Sequence, residues 1–172
     1  MDLDVIIVGG SYAGMAAALQ LVRARRSVLL IDADSRRNRF ADSSHGFLTQ
    51  DGNSPQAIAA TAKAQLMAYP TVQWLEASAI SASKTETGFQ VNTAAQSYQA
   101  KRLLLATGVT DQLPEVPGLA ERWGKSIFHC PYCHGYELDQ GPIGVVAASP
   151  LALHHALMLQ DWGPSDLCAR AN

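Results

Sequence analysis

The 172-residue sequence predicts an α/β fold built on parallel strands, and three features carry that prediction. An apolar strand from Asp4 to Val8 runs into the small-residue turn Gly9-Gly10-Ser11-Tyr12-Ala13-Gly14 and then into the helix-forming run Met15 to Val22. A second apolar strand, Ser27 to Ile31, ends on Asp32, eighteen residues after Gly14, which is the spacing of a βαβ dinucleotide-binding unit. Further along, Ile143-Gly144-Val145-Val146, the turn Ala147 to Pro150 and a helix-like run to Trp162 repeat the order strand, turn, helix.

In the first unit the small residues have separate tasks. Gly9 permits the tight turn, Ser11 is small enough for close backbone approach to a pyrophosphate, and Gly14 lets the helix pack on the sheet. The phosphates would sit at the helix N-terminus, where unsatisfied N–H groups and the dipole favour anions. Asp32 would accept hydrogen bonds from ribose hydroxyls, which suits FAD or NAD better than the 2′-phosphate of NADP. Ser11 stands at the middle position of G-x-G-x-x-G, so the pattern is imperfect. The strand, the Ala-rich helix and the acidic strand end in register favour a dinucleotide site over a plain βα turn.

After Asp32 a polar loop leads to Gly52, and Ser54-Pro55 opens a helix to about Tyr69 with Pro55 at its first position. Short strands are expected from Val72 to Glu76, Ile80 to Lys84, Phe89 to Thr93 and Tyr98 to Leu105, in a small β-meander. The last ends at Ala106-Thr107-Gly108, small residues that either let the backbone meet a flavin or simply turn the chain. Leu113 to Gly118 carries two prolines and reads as a linker. In the second unit Ala147 and Ser149 replace the glycines, and Ser165 to Asn172 is expected to lack a second apolar strand. Completing a doubly wound domain would take roughly a hundred further residues. The ending is therefore expected to be that of a fragment, a premature stop or a frameshifted tail, with Cys168 incidental.

The segment His129-Cys130-Pro131-Tyr132-Cys133-His134-Gly135-Tyr136-Glu137 carries the redox chemistry. Two thiols spaced C-x-x-C can close a small disulfide ring and pass two electrons as a pair, and a helix start favours thiolate. Three rival readings compete. Cys130 to His134 satisfies the haem-attachment pattern C-x-x-C-H, although Met1 to Val8 has no export leader. Zinc would need about two more ligands, and His129 and His134 lie too close in sequence to serve easily. Buried structural cysteines are the bland alternative.

Composition narrows the class. With 48% hydrophobic and 16% charged residues the chain reads as globular, and a net charge of −2 implies no general attraction to nucleic acid or an anionic membrane. The basic stretch Arg23, Arg25, Arg26, Arg36, Arg37 and Arg39, interrupted by Asp32 and Asp34, reads as a solvated helix end and loop, part of which can face cofactor phosphates. No apolar run approaches the ~20 residues that span a bilayer. Three cysteines, two in one motif, make a reducing cytoplasm the expected location.

Taken together, Val5 to Gly14, Leu105-Ala106-Thr107-Gly108-Val109 and Cys130 to Glu137 resemble the low-molecular-weight thioredoxin reductase family. The likeness is greatest to the branch carrying C-P-[YF]-C-H-G-[YF]-E, which includes thioredoxin reductase-like flavoproteins and the dithiol oxidases of gliotoxin and holomycin pathways. The resemblance implies a Rossmann-like FAD/NAD(P)-binding fold of ββα three-layer type, with an incomplete second Rossmann unit. Residues 1–112 would be the N-terminal part of an FAD-binding domain, and 113–172 a linker and the start of an NAD(P)H-binding domain carrying the C-x-x-C. Gly9, Gly10, Ser11 and Gly14 would hold the FAD pyrophosphate, Asp32 the ribose, and Ala106, Thr107 and Gly108 the flavin side. Cys133 would be the flavin-proximal thiol, Cys130 the exchanging thiol and His134 an acid/base.

The implied reaction runs from NADPH through FAD to the Cys130/Cys133 disulfide and on to a thioredoxin-like protein or small disulfide. In the oxidase members electrons run from a substrate dithiol to oxygen. A homodimer is the family expectation. Two other outcomes stay open: a truncated chain without catalytic competence, and a small nucleotide-binding or redox-sensing module.

Overall fold

The computed structural model describes residues 2–168. They divide into two compact units, one comprising the chain up to Arg39 with Pro55–Thr110, the other Phe40–Ser54 with the chain from Asp111 onward.

The first unit is a six-stranded sheet with helices. Strand β1 (Leu3–Val8) leads to helix α1 (Tyr12–Arg23), strand β2 (Val28–Asp32), helix α2 (Pro55–Met67) and strand β3 (Val72–Glu76). Strands β4 (Ser81–Lys84), β5 (Phe89–Asn92) and β6 (Ser97–Leu105) follow. The sheet order is β3-β2-β1-β6-β5-β4. Strands β1, β2 and β3 run parallel to their neighbours, while β4, β5 and the first half of β6 are antiparallel. The nine-residue β6 serves both sets, because its later residues, up to Leu105 opposite Val8, pair in parallel with β1. The α/β fold and its Rossmann-like parallel core are as the sequence predicts.

Strand β3 is placed differently. The sequence reading puts Val72 to Glu76 in the meander, but it is the parallel outer neighbour of β2, in register from Val28↔Val72 to Asp32↔Glu76. Helix α2 supplies the crossover that makes parallel pairing possible. The error arose because a half-exposed edge strand lacks the continuous apolar run that marks β2, which is buried along its whole length.

Alternation along the strands sorts the core onto two faces. Val5, Ile7, Val28 and Leu30 pack against Met15, Ala18 and Val22 of α1 and Ala59 and Leu66 of α2. Ile6, Leu29 and Ile31 point the other way, toward Val91 and Ala100. Complete burial of Ile6, Ile7, Leu30 and Ile31 stabilises by roughly 1.5–3 kcal/mol each. At the base of the sheet Asp4 joins the three central strands: Oδ1 accepts from Lys101 Nζ at 2.9 Å and Oδ2 from Ser27 N–H at 3.1 Å. The hydrogen bond from Lys101, then that from Ser27, hold its pKa below the ordinary 3.8 against the opposing effect of desolvation.

Besides the Phe40–Ser54 loop, the second unit contains short helices α3 (Leu119–Arg122) and α4 (Pro131–His134), the latter followed by a 3₁₀ turn at Tyr136–Leu138. Strand β7 (Ile143–Val146), helix α5 (Leu151–Met158) and strand β8 (Ser165–Cys168) then form a parallel pair joined by a helix. Here the sequence expectation fails: a second strand is present, in register from Ile143↔Ser165 to Val146↔Cys168. With one partner and mostly exposed residues, β8 is held by its backbone ladder and needs no apolar run. Residues 169–172 of the ending lie outside the described residues. Among the described residues no helix is long and apolar enough to cross a membrane.

Candidate functional site

The turn between β1 and α1 is built around contacts that leave no room for side chains. Gly9 has φ +107°, a conformation costly for any residue with a Cβ, and a Cβ there would overlap the Ala106 carbonyl. A Cβ on Gly10 would lie 2.6 Å from Cβ and Cγ of Asp32 and 2.7 Å from the Trp74 ring. One on Gly14 would overlap the Gly9 carbonyl oxygen. Ser11 is the extended residue that caps α1, and its side chain makes no capping bond.

Asp32, 8% exposed at the end of β2, accepts the Gly10 N–H on Oδ1 at 3.0 Å. The Gly10 N–H is therefore directed at Asp32, and the carboxylate keeps further acceptor capacity for other donors. Ala106 follows β6 and extends the ladder, its N–H donating to Val8 O at 2.8 Å, while Thr107 and Gly108 continue exposed beyond it. Gly108 has φ +65° and open space around it.

Beside Asp32 lies a cleft of about 200 Å³, at the carboxyl ends of the parallel strands where open α/β sheets bind ligands. Gly10, Asp32, Arg36, Lys63 and Trp74 are among its lining residues. Lys63 sits 4.2 Å over the Trp74 ring and 3.2 Å from Glu76 Oε1, and Arg36 pairs with Asp34 at 2.9 Å. Two buried donors in this wall, Arg36 Nε and Trp74 Nε1, have no hydrogen-bond partner. Buried donors are almost always satisfied, so a polar ligand in the cleft is chemically matched to them. Of the basic stretch, Arg36 is the member that lines the cleft. Sequence reasoning missed Trp74 and Lys63, which recognition of β3 as the neighbour of β2 would have found.

In the second unit Cys130 is the N-cap of α4 and Cys133 lies within it, with Cys133 N–H donating to Cys130 O at 3.2 Å. Residues three apart on a helical turn share a face, so the two thiols are neighbours. Both are half-buried and stand as thiols. Gly135 is buried where Trp162 crosses, and a Cβ there would come 2.5 Å from Trp162 Cδ1. The Tyr132 ring meets Trp162 edge-on, centroids 4.9 Å apart.

His134 packs against Phe128 with ring centroids 5.1 Å apart. Burial lowers its pKa from the ordinary 6.5; Glu137 opposes that shift and His45 adds to it. Neutral imidazole, the form that can accept a proton from a thiol, is thereby favoured. His45 was not singled out from the sequence, since no spacing links a residue near position 45 to Glu137, the last residue of the C-x-x-C segment. Among the described residues, no group of three or more His, Cys, Asp or Glu side chains is arranged to hold a metal ion.

The model of one protein family, pyridine nucleotide-disulphide oxidoreductase, matches residues 3–166. The chain belongs to the pyridine nucleotide-disulphide oxidoreductase family.

Within that family it is similar to thioredoxin reductase tcpT of Claviceps purpurea, 39% identical over 163 residues, which cover 90% of this chain and 51% of the relative. Thioredoxin reductase aclD of Aspergillus oryzae is 39% identical over 154 residues, 87% of this chain and 49% of the relative. An oxidoreductase from Agrobacterium tumefaciens of known crystal structure superposes with a TM-score of 0.93 at 59% identity, covering 97% of this chain and 57% of that one. The chain thus spans about half the length of the relatives it matches.

Proposed function

We propose that this chain carries the flavin-binding turn and the redox dithiol of a thioredoxin reductase-like, FAD-dependent disulfide oxidoreductase. The observation that carries the proposal is the pairing of Cys130 and Cys133 on one helical turn, with His134 held toward its neutral form beside them.

The first unit suits FAD by two features: the side-chain-free turn of Gly9, Gly10 and Gly14 against Asp32, and the unpartnered donors of Arg36 and Trp74 in the cleft. Asp32 would hold the ribose, the turn and Ser11 the pyrophosphate, and Ala106, Thr107 and Gly108 the flavin side. Bound there, FAD would supply two-electron redox chemistry. For NADPH the described residues supply a βαβ frame only, because no Lys or Arg occurs between Gly141 and Cys168 to meet a 2′-phosphate. NADPH as the electron donor rests on the family, whose description names a pyridine nucleotide.

The chain's own chemistry is thiol–disulfide exchange. His134 accepts the proton of a thiol; the Cys130 thiolate attacks one sulfur of an external disulfide, and the other sulfur leaves as a thiolate that takes up a proton. Cys133 then attacks Cys130 in the mixed disulfide, releasing the second substrate thiol. The substrate gains two electrons and Cys130–Cys133 becomes the disulfide. A thioredoxin-like protein or a small disulfide is the proposed partner, and the names of the fungal relatives favour the former. A homodimer in a reducing cytoplasm is the proposed setting, where a dithiol is kept available.

The test is the visible spectrum of the purified protein before and after anaerobic NADPH, repeated for Cys130→Ser and Cys133→Ser. Flavin bands that bleach, with disulfide exchange lost in both variants and flavin retained, are expected. A colourless protein, or exchange surviving in both variants, overturns the proposal.

A further inference from the structure

The second unit contains another cluster of ionisable groups, centred on His45. The loop from Ser44 to Asn53 closes on itself: Ser44 N–H donates to Asn53 O at 2.8 Å, and Gly52 N–H to Ser44 O at 2.9 Å. Inside it Gly46, at φ +74°, donates its N–H to Asp51 Oδ1 at 2.8 Å, which holds that carboxylate beside His45. A Cβ on Gly46 would lie 3.8 Å from the Tyr132 carbonyl oxygen, so the loop rests against the segment bearing the thiols.

His45 has carboxylates on both sides. Its Nδ1 lies 3.6 Å from Asp51 Oδ1, a separation at which attraction is electrostatic and not a hydrogen bond. Its Nε2 lies 3.4 Å from Glu137 Oε1 and 3.0 Å from Ser43 Oγ. The imidazole is 22% exposed, more sheltered than either carboxylate. Glu137 is therefore shared: it contacts His45 from the segment just after α4, and its charge also acts on His134.

We propose that His45 is a positioning residue of the dithiol site: held between Asp51 and Glu137, it fixes the loop against the C-x-x-C segment and sets the charge facing His134. The inference rests on Cys130, Cys133 and His134 being the redox site. Among the described residues the titratable groups acting on His134 are Glu137 and His45, and those facing His45 are Asp51 and Glu137. The two neighbours of His134 act with opposite sign. Glu137 favours a proton on it, and a protonated His45 both offsets that carboxylate and repels the same proton. The proton leaving a thiol passes to His134, so the charge on His45 governs how readily the thiolate forms.

The test is a histidine NMR titration of the full chain together with the pH profile of thiol alkylation by iodoacetamide, for wild type, His45→Gln and Glu137→Gln. The midpoint of His134 should rise in H45Q and fall in E137Q, with the alkylation profile following in each. Midpoints that stay put or move in the same direction, or an alkylation profile that ignores them, overturn the proposal. If H45Q does not fold, the wild-type resonance of His134 must still show a second inflection at the midpoint of His45, and its absence is equally fatal. C130S with a chromogenic aryl disulfide separates the two levels of inference. Exchange lost there with His134 unmoved in H45Q removes the role of His45 alone, whereas exchange retained removes the dithiol site itself.

Discussion

Replacing Gly14 by Ala tests the close-packed turn most directly, because two effects of opposite sign meet there. In an ordinary helix interior the change stabilises by about 0.5–1 kcal/mol through backbone entropy. At Gly14 the new methyl group overlaps the Gly9 carbonyl oxygen and lies 3.0 Å from the Gly9 carbonyl carbon and 3.4 Å from Ile7 Cγ2. Gly9 cannot readily withdraw: its N–H donates to Ile31 O at 2.8 Å and its other side abuts the Ala106 carbonyl.

Overpacking costs typically 1–3 kcal/mol, and an immovable backbone oxygen places this case at about 3. The net loss is then about 2 kcal/mol, and a chain of this size should melt about 4–8 °C lower. Scanning calorimetry of G14A against wild type measures it, with Ala16→Gly on the exposed face of α1 reporting the entropy effect alone. Flavin content should fall in G14A as the start of α1 is pushed from the turn. A G14A protein as stable as wild type, or more so, would refute the packing argument.

Asp32→Ala removes the acceptor of the buried Gly10 N–H and should cost about 1.5–3 kcal/mol in urea unfolding, while Asp32→Asn keeps an oxygen and should cost less; both should lower flavin content. Because burial lowers the pKa of His134, the unfolded chain binds the extra proton first. The resulting stability is complete above the ordinary value of 6.5 and is lost as pH falls from there toward the lowered folded value. Melting temperatures of wild type and His134→Gln across that interval should converge toward acid, and parallel curves would show that the imidazole is not coupled to folding. Asp4 follows the same rule in a more acid window: its lowered pKa contributes stability above the ordinary 3.8 that is lost on further acidification. Asp4→Asn should flatten the acid limb of unfolding, and added salt should shrink the difference, since the Lys101 pair is exposed.

The first βαβ unit was readable because its determinants are local. A strand buried on both faces must be continuously apolar, a turn pressed against neighbouring backbone must be glycine, and α1 follows from its run of Ala, Met and Leu. The C-x-x-C was readable for the same reason, since residues three apart on one helical turn are neighbours wherever the helix lies. Strand β3 escaped because one edge strand looks like another until its partner is known, and β8 escaped because a backbone ladder needs no apolar signature.

By itself, then, the sequence determined the α/β class, the Gly9–Gly14 turn with Asp32 behind it, and the paired thiols, all set by contacts within a few residues or one crossover. Tertiary structure alone decided that Trp74 and Lys63 flank the cleft, and that His45 reaches Glu137 across more than ninety residues of chain. Such groups meet only after the chain has closed long loops, and neither their spacing nor their local propensity records that they will.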